Sequence, residues 1–408
     1  MNKTIVIVGT LDTKAEEVEY VNELIRRKGH QTIVIDPGVL GEAGFEPDIT
    51  RHQVAEAAGT SLNQVIQLGD EGKAIEVMAE GACNIVQELY STGRLDGIVA
   101  LGGSMGTSLG LPLLKALPLL VPKLLVSTVA FTPIISQATA SPDLTVMPTV
   151  ADIWGLNRIT KRVLENAAGA ISGMVETYEK SELSEKRMIG VATLGSAALR
   201  YVPYVKPLLE EKGYEVAVFH TNGVGGGTFE QFVEQGMFAG ALDLSHQELM
   251  SYLCGGQNAV NRLEAIGKRA MPHVVAPGAI EWFCWFEPVD TIPSQYRDRK
   301  IHMHNPRVAE IEANKEQKAA LGKVMAEKLN RALGPTVVLI PTQGFSERDR
   351  PGGVFYDPEG RGAFIEALKS NIKPEIQVRE LDVHINDAEF AREAVATLDS
   401  LIVNQADH

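Results

Sequence analysis

Two glycine-rich stretches, a histidine pair and a strand-end lysine carry the residue types that could do chemistry in this chain. The first stretch is "LGGSMGTSLG", residues 101–110, after the apolar run "DGIVA". Gly102, Gly103 and Gly106 allow a ligand close to the backbone, and Ser104 and Thr107 add hydroxyls, which suits a phosphate cradle. A P-loop would end in Gly-Lys-Ser/Thr, and no lysine stands here. The same letters spell G-x-S-x-G through Gly102, Ser104 and Gly106. That is the spacing of a serine-hydrolase nucleophile elbow, whose acid and histidine would come from Asp243, Asp290, His302 or His304. A tight structural turn is the third reading, and the spacing leaves all three open.

The second candidate is "VGTLDTK". Gly9 and Thr10 end an apolar run, and a helix is expected to begin near Asp12 or Thr13. A helix N-terminus offers free N–H groups and the positive end of a dipole, and Lys14 adds a cation. Asp12 would hold Mg²⁺ or a ribose hydroxyl. Helix capping by Asp12 or Thr13 is the structural alternative. In "HTNGVGGGTFEQF", Asn222, Gly223 and Gly225–Gly227 read as a ligand loop before a helix capped by Thr228. In "RKIHMHNP", His302 and His304 point to one side if the segment is a strand. They would contact a ligand or carry a proton near neutral pH, and Glu281, after "VVAPGAI", is a third catalytic candidate. No metal site is assigned, although two histidines at this spacing could bind one.

These residues need elements to position them. "TIVIVG", "TKAEEVEYVNELIRRKG" and "QTIVID" read as strand, helix and strand, with Val18, Val21, Leu24 and Ile25 on one helical face and Gly29 as the stop. Runs this continuously apolar suit parallel strands covered on both faces. The same grammar returns in "MIGVATLG", "YVPYVKPLLEEKG" and "EVAVFHTNG". Either duplication or the shared habits of α/β folds explains the likeness. Between the two lies charged, aperiodic "VETYEKSELSEKR", residues 175–187. The expected fold is α/β: two Rossmann-like domains with mostly parallel sheets, spanning residues 1–182 and 183–408, with a ligand cleft between them. Each candidate loop follows a strand, so each belongs at the carboxyl edge of its sheet, where such folds bind ligands.

Composition sets limits. The 408 residues carry 38 Lys and Arg against 52 Asp and Glu, a net charge of −14 that repels nucleic acid and anionic membranes. No apolar run reaches the length of a spanning helix. Three scattered cysteines suit a reducing compartment, so a cytoplasmic protein is expected. Homodimers are the commonest soluble oligomers, so a homodimer is the default expectation.

"GTLDTK", "GGSMGT", "STVA", "NAAGAISGM", "FHTNGVGG", "VVAPGAIE", "HMHNP", "PTQGFSERDRPGGVFYDPEG" and "HINDAEFA" occur in this order through nearly the whole chain. In these motifs the chain resembles the family typified by the N-terminal ATP-binding domain of the tomato mosaic virus resistance protein. The resemblance implies two α/β domains and nucleotide binding; the expected cofactor is ATP, with Mg²⁺ beside it. It implies nucleotide contacts at Gly9, Thr10, Asp12, Thr13 and Lys14 and at Gly102, Gly103, Ser104, Gly106 and Thr107. It also makes Ser104 a phosphate or substrate contact rather than a nucleophile. The chain departs from the family pattern at "STVAFTPII", at "SHQE" and at "IEWFCWFE". These departures bear on the ligand. The expected function is therefore a nucleotide-binding protein, an enzyme of small-molecule metabolism acting on a phosphorylated or carboxylate ligand. The alternatives are a non-catalytic ligand-binding or regulatory module and a serine hydrolase using Ser104.

Overall fold

A computed structural model describes residues 2–136, 139–178, 186–195 and 199–406. The chain splits into two compact units, Met1–Glu182 and Leu183–His408. The domain boundary expected at 182/183 falls in residues 179–185, outside the described residues.

The first unit holds five parallel strands: β1 (Thr4–Val8), β2 (Gln31–Ile35), β3 (Gly97–Gly102), β4 (Lys123–Ser127) and β5 (Thr145–Pro148), in the order β2-β1-β3-β4-β5. Helices cover both faces, which is why β1 from Ile5 onward and β3 are apolar and buried. On one face, Val18, Val21 and Ile25 of helix Ala15–Arg27 pack with Ala167, Ala168 and Ile171 of helix Arg158–Thr177. Helices Glu71–Ser91 and Ser104–Ala116 close the other face through Met78, Ala82, Val86, Leu113 and Leu114. Right-handed crossovers send the chain from β1 to β2 on one side, then back to β3 on the other. The loops after β1 and β3 therefore diverge and leave a crevice at their carboxyl ends, the switch point where such sheets bind ligands.

The second unit repeats the plan. Its strands are β6 (Met188–Thr193), β7 (Glu215–His220), β8 (Gly240–Asp243), β9 (His273–Val275), β10 (Trp282–Trp285), β11 (Ile301–Asn305), β12 (Val308–Glu312), β13 (Thr336–Pro341) and β14 (Gln377–Leu381). Six make a parallel sheet ordered β14-β13-β9-β8-β6-β7. The other three form a small antiparallel sheet, β10-β12-β11, which the sequence reading had not separated from the parallel layer. His302 and His304 lie on β11, a strand as expected. Among the described residues, no helix is long and apolar enough to cross a membrane.

Two local expectations need correction. The first helix starts at Ala15, with Lys14 as N-cap and no side-chain cap. Asp12 instead accepts the Leu40 N–H at 2.8 Å, and the Thr13 hydroxyl pairs with that of Thr10 at 3.0 Å. The second glycine-rich stretch is no loop: helix Val224–Glu234 takes in Gly225–Gly227, and the Thr228 hydroxyl bonds the Val224 carbonyl within it. Close approach explains two of these glycines. A Cβ on Gly225 would lie 1.9 Å from the His220 carbonyl oxygen, and one on Gly226 would lie 1.7 Å from a Glu248 carboxylate oxygen.

Candidate functional site

The crevice of the first unit brings the two leading motifs together. β1 and β3 are hydrogen-bonded neighbours, so Gly9–Lys14 and Gly102–Thr107 leave adjacent strand ends. Lys14 Nζ donates to the Ile153 carbonyl and sits 5.1 Å from the Trp154 ring centre, so the cation is held at the edge of the sheet. Asp12 is committed elsewhere. Besides the Leu40 N–H, its carboxylate lies 3.9 Å from Arg51, which is paired with Asp36 at 2.7 Å. Asp12 thus shapes the segment after β2. Thr107 is buried, with its hydroxyl 2.7 Å from that of Ser127, tying the helix after β3 to the end of β4.

The glycines separate by what a Cβ would meet. On Gly9 it would press on Val18 at 2.6 Å, and on Gly102 on Gly106 at 2.7 Å, so packing demands both. On Gly106 it would lie 3.4 Å from the Leu101 carbonyl oxygen. Gly103 differs. Its φ of −75° and ψ of −157° suit any residue, and its Cβ would meet nothing nearer than the Thr128 hydroxyl at 3.7 Å. Gly103 is also the N-cap of Ser104–Ala116 and supplies no side-chain cap, where serine would satisfy one N–H. The fold does not require glycine there. Its effect is to keep the first-turn N–H groups uncovered. Ser104, exposed in that turn, lacks the left-handed backbone of a nucleophile elbow: the described non-glycine residues with positive φ are Leu120, Val150, Leu263 and Ala279. Beside the crevice, Thr128–Thr132 and Pro148–Asp152 line an open hollow of about 530 Å³.

The second unit has a smaller, more enclosed pocket of about 50 Å³ at the ends of β6 and β7, roofed by the antiparallel sheet. Pairing aligns Cys284 of β10 and His302 of β11 with Glu310 of β12, and directly opposed residues share a face. Arg348, from the loop after β13, donates to Glu310 at 2.8 Å, lies 3.3 Å from His304 Nδ1 and stacks over Trp282 at 5.2 Å. Burial raises the Glu310 carboxyl to about 7, against the pull of Arg348. Burial and the His304 charge lower His220, whose Nδ1 accepts the Gly195 N–H at 3.1 Å. Burial drives the Cys284 thiol up to about 12, so it is no thiolate at neutral pH.

Of the candidates assigned to this half, His304 and Asn222 line the pocket, and His302 stands beside it on the strand opposite Glu310. Gly223 does not reach it: its N–H donates to Glu248, and Asn222 also accepts from Asn258. Sequence reading missed Glu310, Arg348 and His220. His220 lay within a quoted motif, whereas Glu310 in "VAEIE" gains its role only through strand pairing.

Glu281 lies in the interior, 2% exposed, with neither carboxyl oxygen hydrogen-bonded. Burial first, then the charge of Asp349, push its carboxyl up to about 8. Asp349 keeps the charge of that pair because Arg361 bonds it at 2.6 Å. An acid whose folded pKa exceeds its unfolded value of ~4.3 stabilises the fold fully below that value and loses the contribution as pH climbs through the folded pKa. Glu281→Gln should therefore gain on the wild type between pH 5 and pH 8.5. Thermal unfolding at both pH values measures this, and a constant gap would mean that Glu281 is not what titrates.

Relatives of this chain share the two-part layout. Residues 3–180 match the N-terminal domain, and residues 186–402 the C-terminal domain, of the uncharacterised protein family UPF0261. A UPF0261 protein of Brucella melitensis is 39% identical over 400 residues, covering 97% of this chain and 94% of its own. One from Clostridium tetani is 40% identical over 397 residues, covering 96% and 97%. The tomato ToMV resistance protein Tm-1(GCR237) is 33% identical over 417 residues; the match takes in 95% of this chain and 54% of the tomato protein. Among solved structures, a putative UDP-N-acetylglucosamine 2-epimerase of Listeria monocytogenes aligns at 12% identity and a TM-score of 0.23, covering 67% of this chain and 79% of that one. A likeness that slight says nothing about the site. With both domains matched nearly end to end, the chain belongs to the UPF0261 family.

Proposed function

We propose that the first unit binds a nucleotide, ATP being the expected one, with its phosphates seated at the switch point between β1 and β3. The observation that carries this reading is Gly103, a glycine that neither backbone conformation nor packing requires, standing where the first turn of a helix presents uncapped N–H groups. Such a turn receives phosphate through its free N–H groups and its dipole. Lys14, held at the neighbouring strand end, offsets the phosphate charge, and Ser104 adds an exposed hydroxyl. The hollow beside the crevice has room for the rest of the ligand. Asp12 has no part in holding Mg²⁺ in this reading, because its carboxylate already serves Leu40 and Arg51. The resemblance to an ATP-binding domain supports the choice of nucleotide.

Titration calorimetry of the protein with ATP, ADP, GTP and inorganic phosphate, each with and without Mg²⁺, tests the proposal. Saturable ATP binding is expected, with Lys14→Ala weakening it about tenfold, the scale of one charge-assisted hydrogen bond. Absence of binding by every nucleotide would overturn the proposal.

A further inference from the structure

The pocket of the second unit holds a combination that the nucleotide reading does not use. Glu310 is 5% exposed, and its Oε2 has no hydrogen-bond partner; Arg348 Nε is likewise buried without one. Leaving a buried polar atom without a partner is costly, so two of them at one cavity mark a place where a polar molecule is accepted. The cavity admits a group of few atoms. Among its described lining residues the permanent cation is Arg348, whose planar guanidinium lies over the Trp282 ring. A planar carboxylate matches the guanidinium fork and takes two parallel hydrogen bonds from it. A phosphate dianion wants more positive charge than one arginine already shared with a glutamate.

We infer that this pocket binds the carboxylate group of a small organic acid, with Arg348 as its cation and Glu310 as the carboxyl that yields Arg348 to it. The exchange follows from the geometry. In the free protein Glu310 occupies Arg348 at 2.8 Å. When the ligand takes over the guanidinium, a protonated Glu310 turns from competitor to hydrogen-bond donor. The groups facing Glu310 are Arg348 from the loop after β13, His304 at 3.7 Å and His302 from β11, and Cys284 from β10. His220 adds a donor. With Nδ1 accepting the Gly195 N–H, the neutral ring carries its proton on Nε2. Since burial places the Glu310 carboxyl near 7, the ligand binds to the protonated form and draws in a proton where Glu310 was ionised. Affinity is then steady at low pH and falls about tenfold per pH unit above 7.

The test titrates the intact protein with acetate, pyruvate and inorganic phosphate by calorimetry at pH 6, 7 and 8.5. It uses two buffers of different ionisation enthalpy, so that proton uptake is counted. Acetate or pyruvate should bind with little proton uptake at pH 6, about half a proton at pH 7 and about one at pH 8.5, where binding is weakest. Glu310→Gln, always neutral, should keep the binding and lose both the pH dependence and the proton uptake. Arg348→Gln alone leaves Glu310 buried without a cation, so Glu310→Gln/Arg348→Gln, which removes the charge pair as a whole, is the informative variant. It should melt cooperatively and bind no carboxylate. The inference fails if the double variant binds as well as the wild type, if phosphate binds more tightly than the carboxylates, if carboxylate affinity ignores pH, or if no probe binds at tens of millimolar.

Discussion

Arg262→Leu is expected to destabilise the second unit by about 3–5 kcal/mol, the cost of removing one partner from a buried ion pair. For a domain of this size that lowers the melting midpoint by roughly 10 °C. Arg262 is fully buried and serves three carboxylates: Asp243 at 2.7 Å, Glu248 at 3.0 Å and Glu230 at 3.1 Å. Burial works against its charge, but Asp243, Glu248 and Glu230 outweigh burial and hold the guanidinium proton more tightly than usual. The carboxylates divide the response. Burial alone would raise Asp243, yet Arg262 and His246 hold it well below the carboxylate range. Glu248 has the same arginine, and burial still lifts it to about 7. Asp243 is thus the ionised partner that Arg262 neutralises. In the leucine variant the abandoned carboxyls take up protons in the folded state, so the deficit should shrink as pH falls from 7 to 5. Thermal melts of variant and wild type at both pH values measure this. An equal deficit at the two would assign the loss to packing of the side chain rather than to its charge.

Gly103→Val should abolish nucleotide binding while leaving the fold almost untouched. Valine accepts the extended backbone at this position, and its Cβ would meet only the Thr128 hydroxyl at 3.7 Å. The expected cost is about 1 kcal/mol, because valine is a poor N-cap. Its branched side chain would, however, cover the first-turn N–H groups that the proposed phosphates need. ATP at 100 times its dissociation constant should add about 2.7 kcal/mol to the wild type, a rise of several degrees in melting midpoint. Gly103→Val should melt near the wild type without ATP and show no rise with it. A full ATP shift in this variant would place the nucleotide elsewhere.

Much of the scaffold was legible in the sequence because its signals are local. "TIVIVG" and "TVVLIP" are continuously apolar because helices cover both faces of a parallel sheet, and they became β1 and β13. Gly29 and Gly213, with φ of 88° and 84°, close helices as their positions suggested. What the sequence hid depends on contacts between distant segments. Gly226 looks like part of a phosphate loop, and only the fold shows that Glu248, 22 positions on, fills the space a Cβ would need. Glu281 has the type and strand-end position of a catalytic acid, yet packing encloses it with Asp349. Glu310 and Arg348 are 38 positions apart, and pairing of β10, β11 and β12 sets the face on which they meet. In the first unit the two motifs stand at the ends of β1 and β3, as expected, because each follows an apolar run that forms a strand. Strand order, which the motifs do not encode, is what makes their two strands neighbours.

The measurement closest to the central proposal is hydrogen–deuterium exchange of the intact protein with and without ATP. Slower exchange centred on the peptide spanning Gly103–Gly106 is the expected result, because the uncapped first-turn amides there would bond the phosphates, whereas the Gly9, Leu11, Thr13 and Lys14 amides already donate to acceptors within the protein. Unchanged exchange there at an ATP concentration that saturates calorimetric binding would contradict a nucleotide site at the β1–β3 crevice.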